Sequence, residues 1–140
     1  MIFNPSNSDE KIAYALLRAL VGINLLMHGV SRLLAGPDVF ATHLATQFAH
    51  SPLPPALIHV FGMILPAVEG LIGLLLLIGL KTRWALIAAS LLMMVLTFGS
   101  SLVQDWTAAG TQLLYAIVFS ALLFSRRHNA WSLDGCANKA

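Results

Sequence analysis

Eight polar side chains stand inside stretches of sequence that are otherwise apolar: Arg18, Asn24, His28 and Arg32 in a first stretch, His59 and Glu69 in a second, Gln112 and Tyr115 in the last. Their types donate hydrogen bonds, hold charge or pass protons. A guanidinium beside a carboxylate can anchor a polar head group or relay a proton, and imidazole and phenol donors can hold a carbonyl oxygen. An isolated charge at mid-bilayer costs at least ~3 kcal/mol, so Glu69 needs a partner. An ion pair between Arg18 and Glu69, with Tyr115 donating to the carboxylate, is the economical expectation, and it serves either chemistry or helix register. His28, Arg32, His59, Thr97, Ser101 and Gln112 then form a second layer nearer the opposite face, which the loop residues His43 and His50 can cap.

No metal motif is present, so no metal is assigned. Two other uses of the histidines stay open: His28 and His59, on different spans, as bis-imidazole ligands of a haem, or the same pair with His43 and His50 around copper or zinc. The single cysteine, Cys136, allows neither an internal disulfide nor a Cys-x-x-Cys redox pair.

The elements that must position these groups follow from composition. The 140 residues suffice for one domain, of which 58% are hydrophobic and 10% charged. Soluble domains carry roughly 25% charged residues, too many for this chain to match. With a mean hydropathy of +0.80, a soluble enzyme, a disordered tail and a nucleic-acid module are excluded, and the bilayer is the solvent. Apolar runs cover about 12–34, 55–80, 84–103 and 108–125, each near the ~20 residues needed to cross ~30 Å as a helix. Asp9 and Glu10 precede the first run, which is too long for the core of a cleaved signal, so it is expected to stay as a span. Short links at Lys81-Thr82-Arg83 and Gln104 to Thr107 make neighbours antiparallel. The expected fold is all-α, an antiparallel four-helix membrane bundle.

The loop from Ala35 to Pro54 is long, and Phe40, Leu44 and Phe48 recur in it at helical spacing, which predicts a short interfacial helix. Lys11, Lys81, Arg83, Arg126, Arg127 and Lys139 fall on one side of the four spans. By the positive-inside rule that side, with both termini and the 126–140 tail, is cytoplasmic. The basicity thereby becomes topology and gives no reason to invoke nucleic acid.

Within the spans the polar positions share faces. Taking Arg18 as zero, Asn24, His28, Arg32 and Tyr14 fall between about 240° and 320° around the first helix. On the second, Pro55, His59, Gly62, Pro66, Glu69, Gly70 and Gly73 share about 100°, with glycines that admit close backbone approach. Ser90, Met94, Thr97, Ser101 and Gln104 make one stripe on the third, Gln112 and Tyr115 another on the fourth. All four helices are therefore expected to turn polar atoms inward.

Arg18 followed by His28-Gly29 and Arg32, the run Glu69-Gly70-x-x-Gly73 through Gly79-x-x-Thr82-Arg83, and Ser132-Leu133-Asp134 together resemble the DoxX family of small four-span membrane proteins, over nearly the whole chain. Two positions depart from that pattern: Arg32 stands where the family usually has Lys, and His128-Asn129-Ala130-Trp131 replaces a Gly-containing approach to Ser-Leu-Asp. The resemblance implies an inner-membrane protein, one branch of the family being similar to the small subunit of thiosulfate:quinone oxidoreductase. Joined to the inward-facing pocket of Arg18, Asn24, His28, Arg32, His59, Glu69, Gln112 and Tyr115, it points to a membrane subunit that binds a quinone or similar amphiphile and draws electrons from a partner protein. The alternative is a non-catalytic anchor or assembly subunit, or a carrier of apolar, metal or haem cargo.

Overall fold

A computed structural model describes residues 7–137 and is all-helical over them. Lys139 and the end of the 126–140 tail lie outside the described residues. Four helices are long and apolar enough to span a membrane: α1 (Asn7–Ala35), α3 (Pro55–Ile78), α4 (Thr82–Leu102) and α5 (Trp106–Phe124). Between the first two lies α2 (Pro37–Gln47), and a 3-10 turn (Arg126–His128) leads to the short α6 (Leu133–Ala137). The expected four-span bundle with a helix in its long loop is thus the fold observed.

Local chemistry sets the ends. α1 begins five residues before the apolar run because Asp9 and Glu10 place negative charge on its first turn, where the helix dipole favours it. Gly36, at φ 102°, reverses the chain into Pro37 at the start of α2. α3 starts at Pro55 and ends on Gly79 at φ 70°, with the Gly79 and Leu80 N–H groups both returned to the Leu75 carbonyl. Asp105 caps α5 by accepting from the Ala108 N–H at 3.0 Å.

The helices associate as two intimate pairs, α1 along α3 and α4 along α5, joined mainly where α3 meets α4, while α2 lies on α3. Glycines fix the first pair. A Cβ on Gly29 would stand 2.4 Å from the Gly70 nitrogen, and one on Gly73 would stand 2.2 Å from the Leu26 nitrogen. In lipid no hydrophobic drive brings helices together, so this backbone proximity and the dispersion it yields are what hold α1 on α3. Gly62 plays the same part for α2, receiving Ala41.

Packing is uneven along the bundle. Leu76, Thr82, Leu86, Phe119 and Leu122 are the fully buried side chains around the α3–α4 turn, at what is here called the tail end. At the other, loop end, the two pairs part and leave space beneath α2. One expectation fails on α4: Met94 is exposed, and Ser90 and Ser101 bond to the carbonyls of Leu86 and Thr97 on their own helix. A hydroxyl can satisfy itself against the preceding turn, so its presence on a stripe does not aim it inward.

The glycine contacts carry a measurable consequence. Gly29→Ala forces α1 off α3 and is expected to destabilise by about 1–3 kcal/mol, the usual range for overpacking. Gly110→Ala, where a Cβ meets nothing within 4 Å, is expected to be neutral or to stabilise by up to ~1 kcal/mol. Thermal unfolding of the two variants in the same detergent checks the contrast.

Candidate functional site

The acid deep in the bundle has a different partner from the one expected. Arg32 Nη1 is salt-bridged to Glu69 Oε2, with the Glu69 side chain 5% exposed and that of Arg32 27%. Arg18 instead donates from Nη1 to the carbonyls of Leu76 at 2.6 Å and Leu77 at 3.3 Å, and from Nη2 to the Trp131 carbonyl at 2.7 Å. The reason is register. With Gly22 against Gly73 and Leu77, and Gly29 against Pro66 and Gly70, Glu69 is level with Gly29, about one turn from Arg32 and about 16 Å of helix from Arg18. α1 projects well past the tail end of α3, so depths measured from each span's own terminus do not coincide.

The pair is built from both ends. The Arg32 guanidinium lies over the Phe40 ring of α2 at 4.4 Å from its centroid, a cation-π contact that takes up the face the carboxylate leaves free. α2 therefore does more than cover the loop end. Phe40 had been read only as part of an amphipathic repeat, and nothing in its spacing pointed to Arg32.

Two cavities meet at this pair. The larger, about 640 Å³, runs beneath α2 between α3 and α4 and is walled mostly by Phe40, Leu44, Phe48, Phe61, Leu65 and Leu96. The smaller, about 230 Å³, lies toward α5 and holds Asn24, His28, Thr111 and Tyr115. Arg32, Glu69 and Gln112 line both. Gln112 donates from Nε2 to the Ser100 hydroxyl at 3.0 Å, while its Oε1 is buried with no hydrogen-bond partner among the described residues. Ser100 had escaped notice because it sits one position off the polar stripe drawn on α4. The Gln112 amide oxygen is an acceptor and the Arg32 guanidinium a donor, and both line the two cavities.

Of the eight side chains expected together, Asn24, His28, Arg32, Glu69, Gln112 and Tyr115 line these spaces. Tyr115 contacts the Phe119 ring rather than the Glu69 carboxylate. Arg18 belongs to the tail end. His59 Nε2 is 3.1 Å from Asp38 Oδ1 of α2, about 16 Å along the helix register from the level of His28, so the two do not share a depth as haem ligands would. His43 and His50 are exposed on the loop side. No group of three or more His, Cys, Asp or Glu residues able to hold a metal ion occurs among the described residues.

Arg18 has work of its own. The last carbonyls of α3 have no partners within the helix, and the guanidinium supplies donors and positive charge there. Its third bond ties in the tail, which Asp134 fastens by accepting from the N–H groups of Lys81 and Thr82, each at 2.7 Å. Ser132 accepts from the Gly135 N–H and donates to the Asn129 carbonyl, while Asn129 donates to the Thr82 hydroxyl and His128 contacts Glu10. Ser132 and Asp134 thus act as a clasp on the α3–α4 turn.

Fold and site together define a multi-pass membrane protein with a charged pair where two mainly apolar cavities meet. A family model described as methylamine utilisation protein MauE matches residues 10–112. The chain belongs to that family, which corrects the DoxX resemblance: the glycine-rich helix faces and flanking charges that suggested it are also what any close-packed small bundle requires. The match takes in every one of the eight expected residues except Tyr115. No curated protein and no solved structure was found to match.

The tail clasp is expected to respond to acid. Burial pushes the Asp134 carboxyl up, but bonds from the Thr82 N–H and hydroxyl and the Lys81 N–H, with the charge of Arg18, outweigh it and hold the group below its usual range. A carboxyl lowered on folding stabilises above its unfolded value of about 4 and loses that contribution as pH falls through the lowered one. Asp134→Asn is expected to raise hydrogen exchange at the Lys81 and Thr82 amides by about tenfold at neutral pH, the equivalent of one charge-assisted bond, and to flatten the acid dependence of tail docking.

Proposed function

We propose that this chain is a membrane subunit of a methylamine-utilisation redox system and that it holds a quinone or similar amphiphile where its two cavities meet. The observation that carries the reading is the sharing of Arg32, Glu69 and Gln112 by both chambers, with the Gln112 oxygen unpartnered. An amphiphile needs a polar seat for its head and an apolar channel for its tail. Arg32 offers a donor and Gln112 an acceptor at the seat, His28 and Tyr115 line the smaller cavity beside it, and the aromatic and leucine walls beneath α2 suit an isoprenoid. A quinone bound there would carry electrons and protons within the bilayer. Glu69, salt-bridged to Arg32, fixes the guanidinium toward the junction.

The chain has no Gly-rich dinucleotide fingerprint and a single cysteine, so the electrons are assigned to a partner protein. Lys81, Arg83, Arg126 and Arg127 at the tail end support a cytoplasmic location for both termini in an inner, plasma-type membrane.

Purification in mild detergent, solvent extraction and mass spectrometry test the reading. About one quinone per chain is expected, with retention falling at least fivefold in Gln112→Leu while the unfolding midpoint stays within a few degrees. A Soret band in the visible spectrum would replace quinone by haem. Neither group, together with a tightly co-purifying protein, would replace the reading by that of an anchor or assembly subunit.

A further inference from the structure

A third cavity, of about 680 Å³, opens at the tail end between the start of α4 and the end of α5, remote from the Arg32–Glu69 pair. Lys81, Arg83, Arg126 and Arg127 all line it. Two come from the α3–α4 turn and two from the residues after α5, so the fold, not sequence adjacency, collects them. None of the four side chains is salt-bridged among the described residues. Asp134 borders the same space, but its two oxygens are engaged by the backbone N–H groups of Lys81 and Thr82. Those bonds leave the carboxylate its charge, but the four cations outnumber it, so the field inside is positive.

Two further features bear on what enters. Lys81 sits at φ 48° in the left-handed region, where glycine is the usual residue. The turn thus keeps an ammonium group at a position whose backbone favours none. The rim carries Trp84 and Phe124, which are 65% and 92% exposed, at the level where the spans leave the hydrocarbon. Aromatic and apolar surface beside a basic hollow at that level matches the boundary between a lipid's acyl chains and its head group. Uniform scatter of basic residues around the rim would satisfy the positive-inside rule equally well, and would not enclose a volume.

We propose that this basic cavity binds a phosphate group, with the phosphodiester of an anionic membrane lipid as the fitting source and free phosphate as the other. Arginine forks engage phosphate oxygens in bidentate fashion and lysine adds point charge, while Trp84 and Phe124 receive the first carbons of the acyl chains.

Native mass spectrometry of the full chain, released from nanodiscs that contain equal phosphatidylglycerol and phosphatidylcholine, tests the site. Phosphatidylglycerol is expected to be retained preferentially, and Arg126→Gln with Arg127→Gln to reduce that retention at least fivefold. Lys11→Gln removes a charge from the same end without touching the cavity and is expected to leave retention unchanged. Thermal stabilisation by phosphatidylglycerol but not by inorganic phosphate identifies the lipid as source, and stabilisation by both identifies free phosphate, either of which sustains the site. Equal retention of the two lipids, or a loss in Lys11→Gln as large as in the arginine variant, would overturn it. Should the arginine variant fail to fold, Lys81→Gln read in the same way decides, with unchanged retention again overturning the proposal.

Discussion

The neutralisation of one carboxylate within the membrane governs the organisation of this protein. Glu69 cannot stand alone in hydrocarbon, and its partner has to reach it across a helix interface. Arg32 does so because α1 and α3 approach to backbone contact at Gly29, Gly70 and Gly73. Larger residues there would separate the helices and strand the acid. The same closeness sets the α1–α3 register and hence brings Asn24 and His28 beside the cavity, while Phe40 draws α2 down over the pair.

The two ends of the bundle divide the labour. At the tail end, Leu76, Leu86, Phe119 and Leu122 are sealed from solvent and lipid, and Arg18 and Asp134 bind the tail over them. That dense end holds the helix pairs together, so they can part at the loop end without dissociating. The close packing of that core is thus compatible with ligand-sized space beneath α2 at the loop end.

Much of the fold was legible in the chain. Hydrophobic run lengths and the scarcity of charge are direct consequences of a bilayer solvent, and the Phe40, Leu44 and Phe48 repeat disclosed α2. The shared face of Gly62, Pro66, Glu69 and Gly73 on α3 was legible too, and all four are buried. What escaped was relative height. Angular position around a helix follows from 3.6-residue periodicity, whereas the offset between two helices depends on how far each extends beyond the other, which their own sequences do not state. Arg18 was therefore assigned the acid that belongs to Arg32, and His28 and His59 were given one depth. Ser100, Ser132 and Asp134 act through backbone and hydroxyl groups, whose partners periodicity does not reveal. The family assignment moved for a related reason: small residues and rim charges at such spacings report close packing as readily as ancestry.

Paired double-mutant cycles in reversible unfolding, one on Arg32→Met with Glu69→Leu and one on Arg18→Met with Glu69→Leu, test the central interaction most directly. Truncating one member of a buried pair leaves the other uncompensated, so contacting residues couple whereas distant ones add. A coupling energy above about 1 kcal/mol is expected between Arg32 and Glu69, against less than about 0.5 kcal/mol between Arg18 and Glu69. Negligible coupling at Arg32, or a larger one at Arg18, would contradict the pairing on which the rest of the structure is built.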